Sequence, residues 1–358
     1  MENNKMNILL TFDYELPLGG IKGSFDECLF EPTEKLLSLA KSKNVPLNFF
    51  ADILGYEKFK TLGRTDFTLP FETQLVAAFD SGHDIQLHLH PHWLETKIDK
   101  NKFFSSPKFG LEAFKDKVGP DSIEGIVDSG IDALKSIMTR ATNEYRCIAY
   151  RGGGYVLNPE SARVLKALYK RGVLIDATIS KGYFFKSDLS YVDYTSTPDK
   201  GNWFLSLNGD LTTESTDKQS LWEIPIASKS KSVFETPTSF KLKKYADRAP
   251  KNRGYVIHQK PVKLSIKEKL KIMLSSRMLT FDNFTYHKDF PLKILNAHIR
   301  KHRHDEPLYL CAVSHPKSMG EYSLEMMEHF IDNARLQYGN DVSFITFQQA
   351  AKHITSIE

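Results

Sequence analysis

The chain has 358 residues, 41% of them apolar and 26% charged, with a formal net charge of +4. This length fits one large α/β domain or two domains, and so slight a basic excess gives no reason to expect a nucleic-acid partner. Cys28, Cys147 and Cys311 stand far apart with no CxxC pair, which excludes a disulfide framework or zinc knuckle and suggests a reducing compartment.

The segment from Asn7 to Asp13 reads as a buried strand ending in a carboxylate, with Glu15 two positions on. Such an acid either caps a turn or belongs to a site, and a second acid beside it favours a site. Glu31 to Ser42 predicts a helix opened by Pro32. Val45 to Ala51 predicts a second strand, Leu69 to Ser81 a helix, and Asp84 to Leu87 a third strand. This β-α-β-α-β order calls for parallel strands with helical crossovers.

The third strand runs into His88-Leu89-His90-Pro91-His92, three imidazoles in five residues. Neutral imidazole is a common ligand for a metal such as zinc. A solvated histidine-rich loop is the bland alternative. Were the segment extended throughout, His88, His90 and His92 would share one face.

The stretch from Trp93 to Val118 carries four phenylalanines and reads as a long loop, either a functional cover or a peripheral subdomain. A helix is predicted from Ser122 to Thr139, then a strand from Cys147 to Tyr150 ending at Arg151. Gly152-Gly153-Gly154 brings the backbone close to whatever lies at that strand end. Asn158 and Pro159 read as the cap and first residue of the next helix. Further strands are predicted at Val173 to Asp176 and Leu221 to Ile226. Residues 229–287 are loosely patterned and rich in lysine and arginine, with an amphipathic basic helix at Ile266 to Leu279. That helix could lie on an anionic membrane surface or pack one face on the domain. Leu308 to Ser314 is a strand delivering His315. The helix from Gly320 to Leu336, a strand from Val342 to Thr346 and a closing helix complete the chain. No apolar run is long enough to span a bilayer and no secretory signal is visible, so a cytoplasmic protein is expected.

Asp13, His88, Arg151, Asp176 and His315 all fall at predicted strand ends, which a parallel barrel gathers on one face. At this point the sequence resembles the polysaccharide deacetylases with a NodB homology domain, carbohydrate esterase family 4. Thr11-Phe12-Asp13-Tyr14-Glu15 is similar to the family's TFDD motif, with Tyr14 in place of the second aspartate. Gly82-His83-Asp84-Ile85-Gln86-Leu87-His88 is similar to its histidine motif, and His92 supplies the histidine four residues on. Arg151, Asp176 and Val313-Ser314-His315 stand where the remaining motifs are expected.

The resemblance implies a distorted parallel (β/α)7-type barrel spanning residues 1–358, with 229–287 as a basic insertion. It implies a metal-dependent carbohydrate N-deacetylase. Glu15, His88 and His92 would hold a divalent ion, expected to be zinc, with Asp13 competing with Glu15 as the third ligand. Asp13 would be the general base and His315 the general acid; Arg151 would keep Asp13 ionised and Asp176 would orient His315. His90 is read as contacting substrate or packing under the site, with the alternative that it replaces a neighbouring histidine as ligand; Tyr155 and Trp222 are read as the apolar pocket for the acetyl methyl, with plain core the alternative for Trp222. The expected substrate is an N-acetylated amino sugar in a lipopolysaccharide, capsule or related precursor, lipid-linked or nucleotide-linked. Residues 241–279 would then give peripheral contact at the inner face of the membrane. A metal-dependent amidohydrolase or phosphoesterase barrel built on His88-Leu89-His90 is the alternative enzyme reading, and an inactive glycan-binding homologue the alternative without catalysis.

Overall fold

The computed structural model describes residues 6–231, 253–255, 262–283, 285, 287–305 and 307–354. The first strand, β1 (Met6–Tyr14), is buried along its whole length. Alternation divides its side chains between two cores. Ile8, Leu10, Phe12 and Tyr14 join the larger cluster with the helices, whereas Leu9 joins a second, smaller cluster with Phe50, Ile175, Trp222 and Phe347.

Parallel neighbours of β1 are β2 (Asn48–Asp52) on one side and the strand Leu308–Ser314 on the other. The parallel series continues from β2 through β3 (Asp84–Leu89), β4 (Ala149–Gly152) and β5 (Ile175–Asp176) to the strand Ser220–Glu223. Beyond Glu223, Ile226 makes a parallel bridge to Cys311, so the curled sheet meets its own first edge. Seven parallel strands therefore surround one axis, as the (β/α)7 expectation required. Trp203–Ser206 adds an antiparallel edge strand, and Val342–Phe344 pairs with the start of β1.

Helical crossovers cover the outside. α1 (Glu31–Lys43) has Pro32 in its first turn and ends on Asn44 in the left-handed conformation. The helix α2 (Ile53–Thr61), unforeseen from the sequence, is capped by the Asp52 carboxylate, which accepts from the Gly55 N–H. α3 (Thr65–Asp80) begins earlier than expected, and α4 (Ile123–Met138) falls within the expected range, capped by the Ser122 hydroxyl, which accepts from the Gly125 N–H. The next helix, Ser161–Lys170, starts beyond Pro159, so Asn158 is not its cap.

The stretch 229–287 is more than an appendage. Ser228–Ser230 pairs antiparallel with Ser276–Met278. The Leu279 N–H then donates to Ala227 O, and Val313 N–H donates to Leu279 O. This run is thus laid along the strand that carries His315. The predicted amphipathic helix ends at Leu274, where the chain turns into that short strand. Lys241, Lys243, Lys244, Arg248 and Lys251 lie outside the described residues.

Candidate active site

Strand alternation explains the first acidic pair. Asp13 and Glu15 point the same way, into the barrel, and both are buried. Tyr14 between them points outward, where its hydroxyl donates to Gln74 Oε1 at 2.7 Å. The tyrosine at the usual second-aspartate position is therefore a core residue of the outer layer, and Glu15 is the acid the barrel interior receives.

The same rule selects between the histidines. β3 and the residue after it remain extended, so His88 and His90 both face Glu15. The Nε2 atom of His88 lies 3.2 Å from Glu15 Oε2, and His90 Nε2 is paired with the same oxygen. One donor atom each from Glu15, His88 and His90 lies within 4.8 Å of the others. Pro91 then opens a short 3-10 turn, Pro91–Leu94, which ends the alternation. His92 is turned aside: its ring stacks on Phe109 at 4.7 Å and 12°, fully buried. The expected partnership of His88 with His92 is replaced by His88 with His90, because the proline breaks the strand. Burial, with His90 beside it, pushes the His92 imidazole well below its ordinary pKa, so it packs as a neutral ring.

The donor set Glu15–His88–His90 suits a divalent ion such as zinc, which accepts two imidazoles and a carboxylate while leaving positions for water and substrate. His88 Nδ1 lies 2.9 Å from the Arg151 carbonyl, to which Nδ1–H donates, so Nε2 is the nitrogen turned to Glu15. Burial opposes charging of His88, but Asp13 and Glu15 outweigh it and carry its pKa to about 9. The second oxygen of Glu15 accepts from Lys317 Nζ at 2.6 Å, and the same ammonium reaches Leu16 O at 3.2 Å. Burial works against ionisation of Glu15, but Lys317 and the two imidazoles hold its carboxyl well below the usual range. Lys317 was not singled out in the sequence; it lies two residues past His315.

Asp13 accepts from Arg151 Nη1 at 2.7 Å. The guanidinium is fully buried, donates also to Thr11 Oγ1 and Ala177 O, and lies 4.3 Å from the centre of the Phe50 ring. Burial would raise the Asp13 pKa, yet Arg151 and the nearby imidazoles bring it below the ordinary value. The other Asp13 oxygen lies 3.6 Å from His315 Nε2, which is 3.7 Å from Glu15 Oε1. His315 thus faces Asp13 and Glu15 together.

The acid behind His315 is Asp282, not Asp176. Asp282 Oδ2 lies 2.8 Å from His315 Nδ1, and Oδ1 accepts from the His315 backbone N–H at 2.8 Å. Burial disfavours the imidazolium, but Asp282, then Asp13 and Glu15, raise the pKa of His315 above its ordinary value. Asp176 instead accepts from the Thr178 hydroxyl and N–H, and Thr178 Oγ1 accepts from the Gly152 N–H. It braces the turn after Arg151. Glu223 sits beside it, and burial together with Asp176 raises the Glu223 carboxyl well above the usual range.

Tyr155 lines the cavities on both sides of the site. Trp222 does not reach the site. It packs edge-on against Tyr309 at 4.7 Å, near the start of the strand that ends beside His315, and belongs to the inner core. The glycine run has a specific cause at Gly153, where a Cβ would fall 2.8 Å from His90 Nδ1.

No family model matches the sequence, and no curated protein matches it. Among solved structures, one from Mycobacterium smegmatis assigned as a polysaccharide deacetylase superposes with a TM-score of 0.51 at 14% identity, over 99% of this chain and 92% of that one. An allantoinase (Puue) follows at 0.49 and 13%, covering 98% of this chain and 91% of its own. A Pseudomonas aeruginosa PAO1 protein, also assigned as a polysaccharide deacetylase, gives 0.46 and 13%, over 98% and 91%. The chain has the NodB-like polysaccharide deacetylase fold.

Proposed function

We propose that this chain, built on the polysaccharide deacetylase fold, is a divalent-metal-dependent hydrolase that removes the N-acetyl group from an amino sugar of a surface-glycan precursor. One observation carries the reading: Asp13 and His315 face each other at 3.6 Å beside the Glu15–His88–His90 donors. Amide hydrolysis needs a base for water and an acid for the departing amine, and this pair supplies both next to a cation site.

A divalent ion at that site would supply Lewis acidity, lowering the pKa of water and polarising the acyl carbonyl. Asp13, kept ionised by Arg151, takes a proton from the attacking water. His315, kept charged by Asp282, gives a proton to the leaving nitrogen. Asp176, through Thr178, fixes the turn beside Arg151. Tyr155 bounds the space left for the sugar. The His88–His90 pairing also favours the second enzyme reading, a metal-dependent amidohydrolase acting on another amide, since that reading rests on the same HxH pair.

The site supports the chemistry, and the substrate's origin is the finer part of the proposal. That finer part is a precursor made on the cytoplasmic side, lipid-linked or nucleotide-linked. The helix at Ile266–Leu274 exposes Ile266, Leu270, Met273 and Leu274, which supports peripheral contact with an anionic membrane through the 241–279 stretch.

The test is acetate release by metal-loaded protein from free, nucleotide-linked and lipid-linked N-acetylated amino sugars, with cyclic amides as the second arm. Release from a sugar that disappears in Asp13→Asn supports the proposal. Hydrolysis of the cyclic amide alone favours the amidohydrolase, and no hydrolysis by metal-loaded wild type leaves a glycan-binding homologue.

A further inference from the structure

Two cavities meet at the site, and the rings of Tyr155 and Tyr183 line both. The first, of about 360 Å3, reaches His315 and Asp282, and its wall carries the hydroxyls of Ser276, Thr280 and Thr285. Ser276 Oγ is buried there with no hydrogen-bond partner among the described residues. The second, of about 410 Å3, reaches His90 and Lys317, and is walled by Pro17, Leu18, Phe109, Val156, Phe185 and Leu189. Among the described residues lining it there is no carboxylate and no cation besides Lys317 and the donor His90. The Lys317 ammonium is already engaged by Glu15 Oε1 at 2.6 Å and Leu16 O at 3.2 Å. The second cavity therefore offers a substrate mainly apolar surface.

The chemistry of the proposed reaction assigns the two sides. The leaving nitrogen must lie toward its acid, His315, so the amine half of the amide enters the first cavity, among the hydroxyls. The acyl half lies toward the Glu15–His88–His90 donors, and whatever follows the carbonyl continues past His90 into the second cavity. An acetyl group would place one methyl there, whereas a space of this size and lining suits a larger apolar group. The wall is also held in place. Phe185 pairs with Val192 in the hairpin of Phe184–Lys186 and Tyr191–Asp193. Lys186 to Glu268 at 2.6 Å and Lys271 to Asp193 tie that hairpin to the helix Ile266–Leu274.

We propose that the site takes an amide whose acyl chain is a medium-length fatty group, with the chain between Phe109 and Leu189 and the amino sugar beside His315. The assignment rests on the deacylase reading of the site and widens its acyl group beyond acetyl. In the step, the oxygen of water bonds to the acyl carbon as Asp13 takes a proton from it. The C–N bond breaks, and its electron pair leaves with the nitrogen, which takes a proton from His315. The products are a fatty carboxylate and the free amine.

The experiment compares N-acetyl-, N-butanoyl- and N-octanoylglucosamine. It measures kcat/KM with metal-loaded wild type and binding to the full chain carrying Asp13→Asn, which releases no acyl group. Each methylene buried is worth up to roughly fourfold. Both quantities are expected to rise with chain length, by roughly tenfold or more from acetyl to octanoyl. In Leu189→Glu, which sets a carboxylate in the apolar wall, the octanoyl-to-acetyl ratio is expected to fall to near one. Phe185→Ala lowers it in part, which keeps the test open should Leu189→Glu fail to fold. Octanoyl bound and cleaved no better than acetyl, or an advantage that survives in both variants, overturns the proposal. Chain-length-dependent binding without hydrolysis of any amide leaves the apolar subsite standing and removes the deacylase. Hydrolysis of all three amides with no gain from chain length does the reverse.

Discussion

Glu15 divides its two oxygens between opposite duties: Oε2 faces His88 and His90, while Oε1 accepts from Lys317 Nζ at 2.6 Å. The ammonium both satisfies the buried carboxylate and places a positive charge beside a cation site. Lys317→Met is therefore expected to bind zinc tighter, by about tenfold, because a like charge in a low-dielectric pocket is removed. Titration calorimetry of the metal-free protein checks this. Unchanged or weaker binding would show that Lys317 supports the site more than it opposes the metal.

The histidines make a second test. His90→Ala is expected to lose zinc affinity by about a hundredfold, comparable to loss of a ligand or its close support. His92→Phe preserves the stack on Phe109 and is expected to retain the metal. Metal analysis of the two variants side by side decides between the His88–His90 set and the His88–His92 set that the sequence motif suggested.

The pH profile follows from two opposite shifts. Asp13 has its pKa lowered, so the base stays ionised and the acid limb of kcat/KM lies below the ordinary aspartate value of 3.8. His315 has its pKa raised, so the acid stays protonated and activity falls only as pH climbs past the ordinary histidine value of 6.5. Asp282→Asn removes the carboxylate that raises it. The alkaline limb is expected to move to lower pH, because Asp282 is the largest of the charges that raise the His315 pKa. A profile that keeps its alkaline limb in Asp282→Asn would remove His315 as the titrating acid.

Two substitutions separate packing from chemistry. Trp222→Phe is expected to lower stability by about 1–2 kcal/mol while leaving KM unchanged, since Trp222 is inner core. Gly153→Ala is expected to lower stability by about 1–3 kcal/mol and to weaken metal binding as well, because its Cβ meets His90. Thermal melts and metal titrations on both variants provide the comparison.

How much of this was legible in the sequence depends on how local each signal is. Asp13, Glu15 and His88 were named from their places at the ends of apolar runs, and the structure turns all three into the barrel, because a strand's faces follow from its residue numbers. Arg151 and His315 end apolar runs and were equally visible. The choice between His90 and His92 turned on one proline, which converts an extended segment into a 3-10 turn. Asp282 was hidden because its stretch carries no periodic pattern; only the pairing of Leu279 with Val313 and Ala227 brings it to His315. Asp176 was read as the partner of His315 because it also ends a strand, but its carboxylate is held by Thr178. Trp222 looked like a pocket wall, and the register beside Ile175 places it in the inner core instead.

The most direct test of the account is anomalous diffraction at the zinc edge from crystals of the zinc-loaded protein. The account predicts one strong peak bound by Glu15, His88 and His90, with Asp13 and His315 turned toward its open side. A peak bound by His92 in place of His90, or no peak beside Asp13, would contradict it.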